Sequence, residues 1–202
     1  MFTLFLLTKY FIMIHISCSG LVKQSAMQLC YLRYNKKDYT PTSNMIKASA
    51  EARAKSKSEY IEMRGTYEYN NLLLHYTFDE IRLEDCTVLV EHKKYLDLKW
   101  YKYNAIAQVA LYTSLALLNE SKHYITAKFL KEKRKSLLIT NKIKSILIFG
   151  DTEYNVEILN PEKVIEFYIT KLYSTFSYNS AKAWDSKWKY KETKHIRQYV
   201  KI

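Results

Sequence analysis

The stretch FDEIRLEDCTVLVEHKKY, Phe78–Tyr95, decides the fold of this chain. The segments Leu72–Leu83 and Cys86–Tyr95 are rich in β-branched and large apolar residues, which favour strands. Together with a short turn near Asp85, they predict a β-hairpin in the middle of the chain.

Helical patterns lie on both sides of this hairpin. Apolar residues recur at roughly helical spacing in Ser19–Tyr34, and Met45–Met63 is rich in Ala, Glu and Lys. Trp100–Leu118 is helical in period, and Asn160-Pro161 starts a last helix that ends near Tyr178. Strand-like runs lie between these two helices, at residues 124–130, 137–140, 145–149 and 154–159. This order is typical of a single α/β or α+β domain, and we predict an α/β domain with a central mixed β-sheet flanked by helices.

The composition is that of a folded, strongly basic protein. The 202 residues include 48% hydrophobic and 15% aromatic residues, which excludes a disordered chain. Lys and Arg number 32 against 20 Asp and Glu, a formal charge of +12. Such a surface attracts polyanions, most often nucleic-acid phosphates, although anionic lipid would attract it too.

The three cysteines, Cys18, Cys30 and Cys86, are widely spaced and form no CxxC motif. An odd number in this pattern favours neither a disulfide framework nor a zinc site. Free thiols fit a reducing compartment, so we expect a cytoplasmic protein.

The first twenty residues, MFTLFLLTKYFIMIHISCSG, raise the question of a signal peptide. Lys9 interrupts the apolar run, no basic region precedes it and no clear cleavage pattern follows. The run is also too short to span a bilayer, and we expect no membrane association. We interpret residues 1–14 as an extension or a misread start, with Met13 as an alternative initiator. Residues 15–202 would form one domain, with a core at about 45–160 and a C-terminal helix and basic aromatic tail at 161–202.

The hairpin brings together residues that suit metal chemistry. Alternation along a strand places Glu91 and Lys93 on the same face of the sheet. A turn centred on Asp85 would set Asp79 opposite Glu91, whereas a register shifted by one would set Phe78 there. Two facing carboxylates can hold Mg²⁺, which provides the activated water and charge neutralisation of phosphodiester hydrolysis. The alternative is an ordinary solvated Glu-x-Lys pattern on a strand.

The following helix adds a second motif. Gln108 and Tyr112, in QVALY, are four residues apart and share a helix face. The combination D-x11-E-x-K with a helical Q-x3-Y resembles the RecB-like branch of the PD-(D/E)XK nucleases. The resemblance implies a restriction-endonuclease-like core in which Asp79 and Glu91 bind metal and Lys93 is the catalytic lysine. It also implies that Gln108 and Tyr112 are positioning groups near the scissile phosphate.

The resemblance extends upstream, over roughly residues 15–120. The stretch HISCSGLVKQSAMQLCYLRY is similar to the opening of CRISPR-associated RecB-like exonucleases, with Cys30 at the place of their first cluster cysteine. Those enzymes hold an iron–sulfur cluster, which usually needs four thiolates, but no cysteine follows Cys86 here. We therefore expect no iron–sulfur cluster and a buried, apolar Cys30. Small cluster-free nucleases of archaeal viruses are similar in size and composition.

The same family places an acidic residue or histidine on the helix before the hairpin. The candidates are Glu51, Glu59 and Glu68. Glu51 is the preferred third metal ligand, because Ala48 and Ala54 on its helix face allow close packing. A solvated surface glutamate is the alternative for each candidate.

Two basic groups are candidates for DNA binding. The first lies in a hairpin-like stretch and comprises Lys128, Lys131, Lys133, Arg134, Lys135, Lys142 and Lys144. In the second, the C-terminal tail, lysines alternate with Trp184, Trp188, Tyr190 and Tyr199. Basic residues can follow phosphates while aromatic rings stack on unpaired bases. The alternative is a solvated surface and a helix packed by its tryptophans.

These observations predict a Mg²⁺- or Mn²⁺-dependent deoxyribonuclease that acts on DNA in viral or host replication, recombination or repair. The compartment would be the host cytoplasm if the gene is viral. The alternative is a non-catalytic DNA-binding or scaffold protein with a nuclease fold. The sequence does not decide whether the protein forms a homodimer or a ring around DNA. It also does not decide between exonuclease and endonuclease action, or the strand preference and polarity.

Overall fold

The fold is built around one mixed β-sheet. The computed structural model describes residues 13–35, 43, 51, 54–58, 60–93, 99–118, 125–127, 136–137, 142–188 and 198–201. Within these residues the strands are β1 Ile14–Ser17, β2 Tyr60–Tyr69, β3 Leu72–Leu83, β4 Thr87–Lys93, β5 Ile125–Ala127, β6 Ser136–Leu137, β7 Ile143–Phe149, β8 Thr152–Glu157 and β9 Gln198–Lys201. The helices are α1 Cys18–Lys23, α2 Ala26–Tyr34, α3 Lys99–Leu118, α4 Pro161–Ser174 and α5 Tyr178–Trp188.

The strand order is β6-β5-β2-β3-β4-β7-β8-β9, and β1 pairs with the first half of β3. The β4–β7 and β1–β3 pairs are parallel, and the other neighbours are antiparallel. Parallel neighbours need a crossover connection, and α3 lies in the one from β4 to β7. The prediction of an α/β domain with a mixed sheet flanked by helices is confirmed.

The predicted hairpin is confirmed, including its register. Leu83 pairs with Thr87 and Glu80 with Val90, which centres the turn on Asp85. The pairing ends at Glu80 and Val90, one position before Asp79 and Glu91.

The main core lies between one face of the sheet and helices α1, α3 and α4. Leu21 of α1, Leu111 of α3 and Ile165 of α4 belong to one buried cluster with Phe78 and Leu89 of the hairpin. This packing holds the hairpin face that carries Glu91 against α3.

The prediction of one helix over Ser19–Tyr34 is wrong, because the structure has two helices there, α1 and α2, with a non-helical connection between them. The hydroxyl of Ser25 accepts a hydrogen bond from the Gln28 amide, and the Gln28 side chain accepts one from the Ser25 amide. This capping box starts a new helix at Ala26. The carboxylate of Asp185, on α5, also accepts hydrogen bonds from the Ala26 and Met27 amides, at 2.8 and 3.0 Å.

The other differences lie at the ends of predicted elements. The helix predicted over Met45–Met63 cannot reach Met63, since β2 begins at Tyr60 and pairs along β3. Of residues 43–54, the structure describes Ser43, Glu51 and Ala54, and all three are helical. The last helix ends at Ser174 rather than near residue 178, and α5 follows it. Strands β1, β2 and β9 were not predicted.

Candidate active site

Glu91, on β4, is the centre of a buried polar cluster. Its side chain is almost fully buried, and its Oε1 atom accepts hydrogen bonds from the Lys93 ammonium and the Gln108 amide. Its Oε2 atom is also buried and has no hydrogen-bond partner within the described part of the chain. A buried carboxylate oxygen without a partner is costly unless a ligand satisfies it.

Helix α3 supplies the two polar residues that the Q-x3-Y motif predicts. The side-chain nitrogen of Gln108 lies 3.3 Å from the Tyr112 hydroxyl as well as beside Glu91. The Tyr112 ring packs against Tyr76 and Phe78, with ring centroids 5.9 and 5.8 Å away. Burial, and then the charge of Glu91, raise the pKa of Tyr112 well above its ordinary value, so its hydroxyl stays protonated.

Asp79 completes the arrangement from β3. Its Oδ2 atom accepts a hydrogen bond of 2.8 Å from the backbone amide of His92. Burial, and then the negative charge of Asp79, raise the pKa of Glu91 to about 7, although Lys93 opposes the shift. Burial also disfavours the charge of Lys93, but Glu91 and Asp79 outweigh it and raise the pKa of Lys93. Two carboxylates and a charged lysine therefore share one site.

This donor set fits a divalent cation. The Oε2 atom of Glu91 lacks a partner, and the repulsion between Asp79 and Glu91 would be relieved by a cation bound to both. Mg²⁺ commonly takes one or two carboxylates and keeps several waters. No cluster of three or more His, Cys, Asp or Glu side chains suited to a metal occurs among the described residues.

The third ligand predicted from the sequence is not brought to this pair. Glu51 is helical and exposed, and it belongs to no such cluster with Asp79 and Glu91. Glu68 is exposed on β2, and Glu59 lies outside the described residues.

The sequence reasoning missed Glu62, which lies opposite Asp79 on β2. Ile61 pairs with Glu80 and Met63 with Phe78, so Glu62 faces Asp79 between them. Its φ of 52° lies in the left-handed region, which costs a non-glycine residue roughly 1–2 kcal/mol. The negative charge of Glu62 also contributes to the raised pKa of Lys93.

A second buried polar network, also missed, lies behind the site. Glu80 accepts hydrogen bonds from Arg82 Nε at 2.9 Å and from the Lys57 amide at 2.9 Å, and it lies 2.8 Å from His92 Nε2. Burial raises the pKa of Glu80, but Arg82 and His92 outweigh it, and the net shift is downward. His92 joins the two clusters, because its ring contacts Glu80 while its backbone amide holds Asp79.

The predicted DNA-binding residues of the first basic group are only partly described. Lys142 and Lys144 are exposed at the start of β7, whereas Lys128, Lys131, Lys133, Arg134 and Lys135 lie outside the described residues. Lys144 pairs with Val88, and Phe149 pairs with Lys93. Glu91 pairs with Leu147, three positions along β7 from Lys144, which separates Lys144 from the centre of the site by about 10 Å along the sheet.

The tail aromatics divide in a similar way. Trp184 is half-buried against the cluster of Ala26, Cys30 and Ala181, and its ring lies 5.3 Å from that of Phe167. Packing between helices therefore accounts for Trp184. Tyr190 and the side chains of Trp188 and Tyr199 lie outside the described residues.

Two further expectations concern the cysteines and membrane association. All three cysteines are free thiols, and Cys30 is buried, as predicted. No helix in the described part of the chain has both the length and the apolar character that a membrane span requires.

Comparison with known proteins gives little further information. No protein-family profile matches the sequence, and no curated protein matches it. The chain is similar to a solved structure described as "Crystal structure of SSO0001", with 14% sequence identity and a TM-score of 0.46. The match covers 86% of this chain and 82% of that one. At this distance the similarity carries no argument about function.

Proposed function

We propose that this chain is a Mg²⁺- or Mn²⁺-dependent deoxyribonuclease, similar to the RecB-like branch of the PD-(D/E)XK superfamily. The observation that carries the proposal is the convergence on Glu91 of Lys93 from its own strand, Gln108 from α3 and Asp79 from β3. The order of elements also supports it. An antiparallel β2-β3-β4 unit, helix α3 and a strand parallel to β4 suit a restriction-endonuclease-like core.

Asp79 and Glu91 would hold the cation. When bound, it would lower the pKa of a water molecule and neutralise charge on the phosphate. Gln108 donates to one oxygen of Glu91, which leaves Oε2 as the oxygen available to the cation. The His92 amide fixes the orientation of Asp79 in the same way.

Lys93 acts on the substrate side of this pair. Its raised pKa keeps the ammonium charged at neutral pH, so it can stabilise negative charge that develops on the phosphate. Tyr112 holds Gln108 in place beside Glu91. The formal charge of +12 favours a polyanion such as DNA as the substrate.

A second candidate function is a DNA-binding or scaffold protein without catalysis. The observation that favours it is that no three His, Cys, Asp or Glu side chains among the described residues are arranged to hold a metal ion. In that case the Glu91–Lys93 ion pair would be a structural feature of the core.

Incubation with end-labelled DNA separates the two functions. We expect cleavage with Mg²⁺ or Mn²⁺ and none with EDTA. Binding of DNA without cleavage under any of these conditions would contradict the nuclease and favour the second function. Single-stranded and duplex substrates with either end labelled would also establish the strand preference and polarity.

A further inference from the structure

Helix α1 directs one of its faces towards the candidate active site. Cys18 and Leu21 of this helix belong to the same buried cluster as Phe78 and Tyr112, and Ser19 acts to lower the pKa of the Tyr112 phenol. Lys23 is four residues after Ser19 and therefore lies on the same face of the helix, in its last turn. The face of α1 that contacts the Q-x3-Y pair thus also carries a lysine.

The sheet topology explains why α1 is close to the carboxylates. Strand β2 occupies one edge of β3 along its length, so β1 and β4 must share the other edge. On that edge β1 ends with Ser17 opposite His75, and β4 pairs from Glu80 onwards. Between these pairs, residues 76–79 of β3 pair with neither β1 nor β4, and Asp79 is one of them. Helix α1 begins at residue 18, directly after β1, and therefore starts at this gap.

The charged side chains of the site shift the pKa of Lys23. Loss of hydration, and then the positive charge of Lys93, lower the pKa of Lys23, while Glu91 and Asp79 oppose this shift. In return, Lys23 lowers the pKa of Glu91. Lys23 nevertheless reaches solvent, and no described carboxylate lies within ion-pair distance of its ammonium.

We propose that Lys23 is a second substrate-binding cation of this site, which contacts a phosphate of the DNA backbone. The inference rests on the proposed function. Lys93 is hydrogen-bonded to Glu91, whereas Lys23 is an exposed residue and forms no ion pair with a carboxylate in the described part of the chain. A lysine of this kind binds a phosphate as a mobile point charge with three donors. The cation and the two lysines together would offset the charge of the carboxylates and the phosphate.

Binding and cleavage of DNA by Lys23→Ala test the proposal. Binding is measured by fluorescence anisotropy in Ca²⁺, over a range of salt concentrations, with a labelled duplex. We expect affinity to fall by about 10-fold, as for one lost charged hydrogen bond. The slope of log K against log salt should become shallower by about 0.9. Turnover at saturating DNA in Mg²⁺ should fall by roughly 10-fold or more, and Lys23→Arg should restore most of both properties.

Lys163→Ala is the matched control, because Lys163 is exposed at the start of α4 and also lacks an ion pair with a described carboxylate. Circular dichroism and thermal melting would verify that each variant is folded. An unchanged salt slope and turnover in Lys23→Ala, or an equal loss in Lys163→Ala, would overturn the inference.

The two proposals fail in different ways. If the parent cleaves DNA, Glu91→Gln does not, and Lys23→Ala matches the parent, only the inference about Lys23 is wrong. If the parent neither binds nor cleaves DNA, the proposed function is wrong and the inference is wrong with it.

Discussion

Replacement of Glu91 by glutamine should stabilise the metal-free protein at alkaline pH. The pKa of Glu91 rises from its ordinary value of 4.5 to about 7 on folding, because of burial and then the charge of Asp79. The folded protein therefore binds a proton more tightly than the unfolded chain does. Wild-type stability should fall as the pH rises from about 4.5 to about 7, and the loss should then level off.

The difference in pKa corresponds to about 3 kcal/mol, since one pKa unit is about 1.4 kcal/mol. Glutamine resembles the protonated acid in shape and carries no charge, so Glu91→Gln should lose this pH dependence. Lys93 would lose its partner in the variant, but the charge of Asp79 remains close to it. We expect the variant to be more stable than the parent in EDTA at pH 8, and by less at pH 5.

Urea denaturation at pH 5, 6, 7 and 8, with EDTA or Mg²⁺, measures these differences. Glu157→Gln, which removes an exposed charge on β8, is the control for net charge. Mg²⁺ at ten times its Kd should stabilise the parent by about 1.4 kcal/mol and leave Glu91→Gln unchanged. A variant that is less stable than the parent in EDTA at pH 8, or a stability difference that does not change with pH, would refute the reasoning.

Three further variants test other contacts. Lys93→Ala should bind Mg²⁺ in a calorimetric titration yet cleave DNA roughly 100-fold more slowly; loss of metal binding with the fold intact would contradict its role on the substrate side. Gly65→Ala should lower the free energy of unfolding by about 1–3 kcal/mol, because the added methyl would overlap the buried ring of Tyr76; an unchanged urea midpoint would contradict that packing. Asp185→Ala should cost about 1 kcal/mol in the same assay, since it removes the acceptor of two amides at the start of α2.

The features that short-range rules govern could be predicted from the sequence. The turn near Asp85 predicts the register of the hairpin, and the structure has this register from Leu83–Thr87 to Glu80–Val90. The four-residue spacing of Gln108 and Tyr112 predicts a shared helix face, and both side chains meet beside Glu91. These relations depend only on residues that are close in the chain.

The features that long-range contacts govern could not be predicted in this way. Residues Tyr60–Met63 follow a segment of helical composition, but their pairing with β3 makes them a strand. The local S-x-x-Q pattern of Ser25 and Gln28 could have indicated a new helix start but was not used, whereas the contact of Asp185 joins residues far apart in the chain.

Asp79 itself shows why alternation alone was insufficient. Phe78 packs against Tyr112 on the α3 side, whereas Glu80 contacts His92, the neighbour of Glu91 that points to the opposite face. Regular alternation would place residues 78 and 80 on the same face. The strand therefore departs from regular geometry at Asp79, opposite the left-handed Glu62, and this departure creates the buried network around Glu80.

The most direct test of the central claim is the single-turnover rate of DNA cleavage by Glu91→Gln as a function of Mg²⁺ concentration. If Glu91 and Asp79 hold the catalytic cation, the rate should fall by about 1000-fold or more, with DNA affinity in Ca²⁺ within a few-fold of the parent. Cleavage by the variant at the parental rate, with the same dependence on Mg²⁺, would show that Glu91 is not a metal ligand.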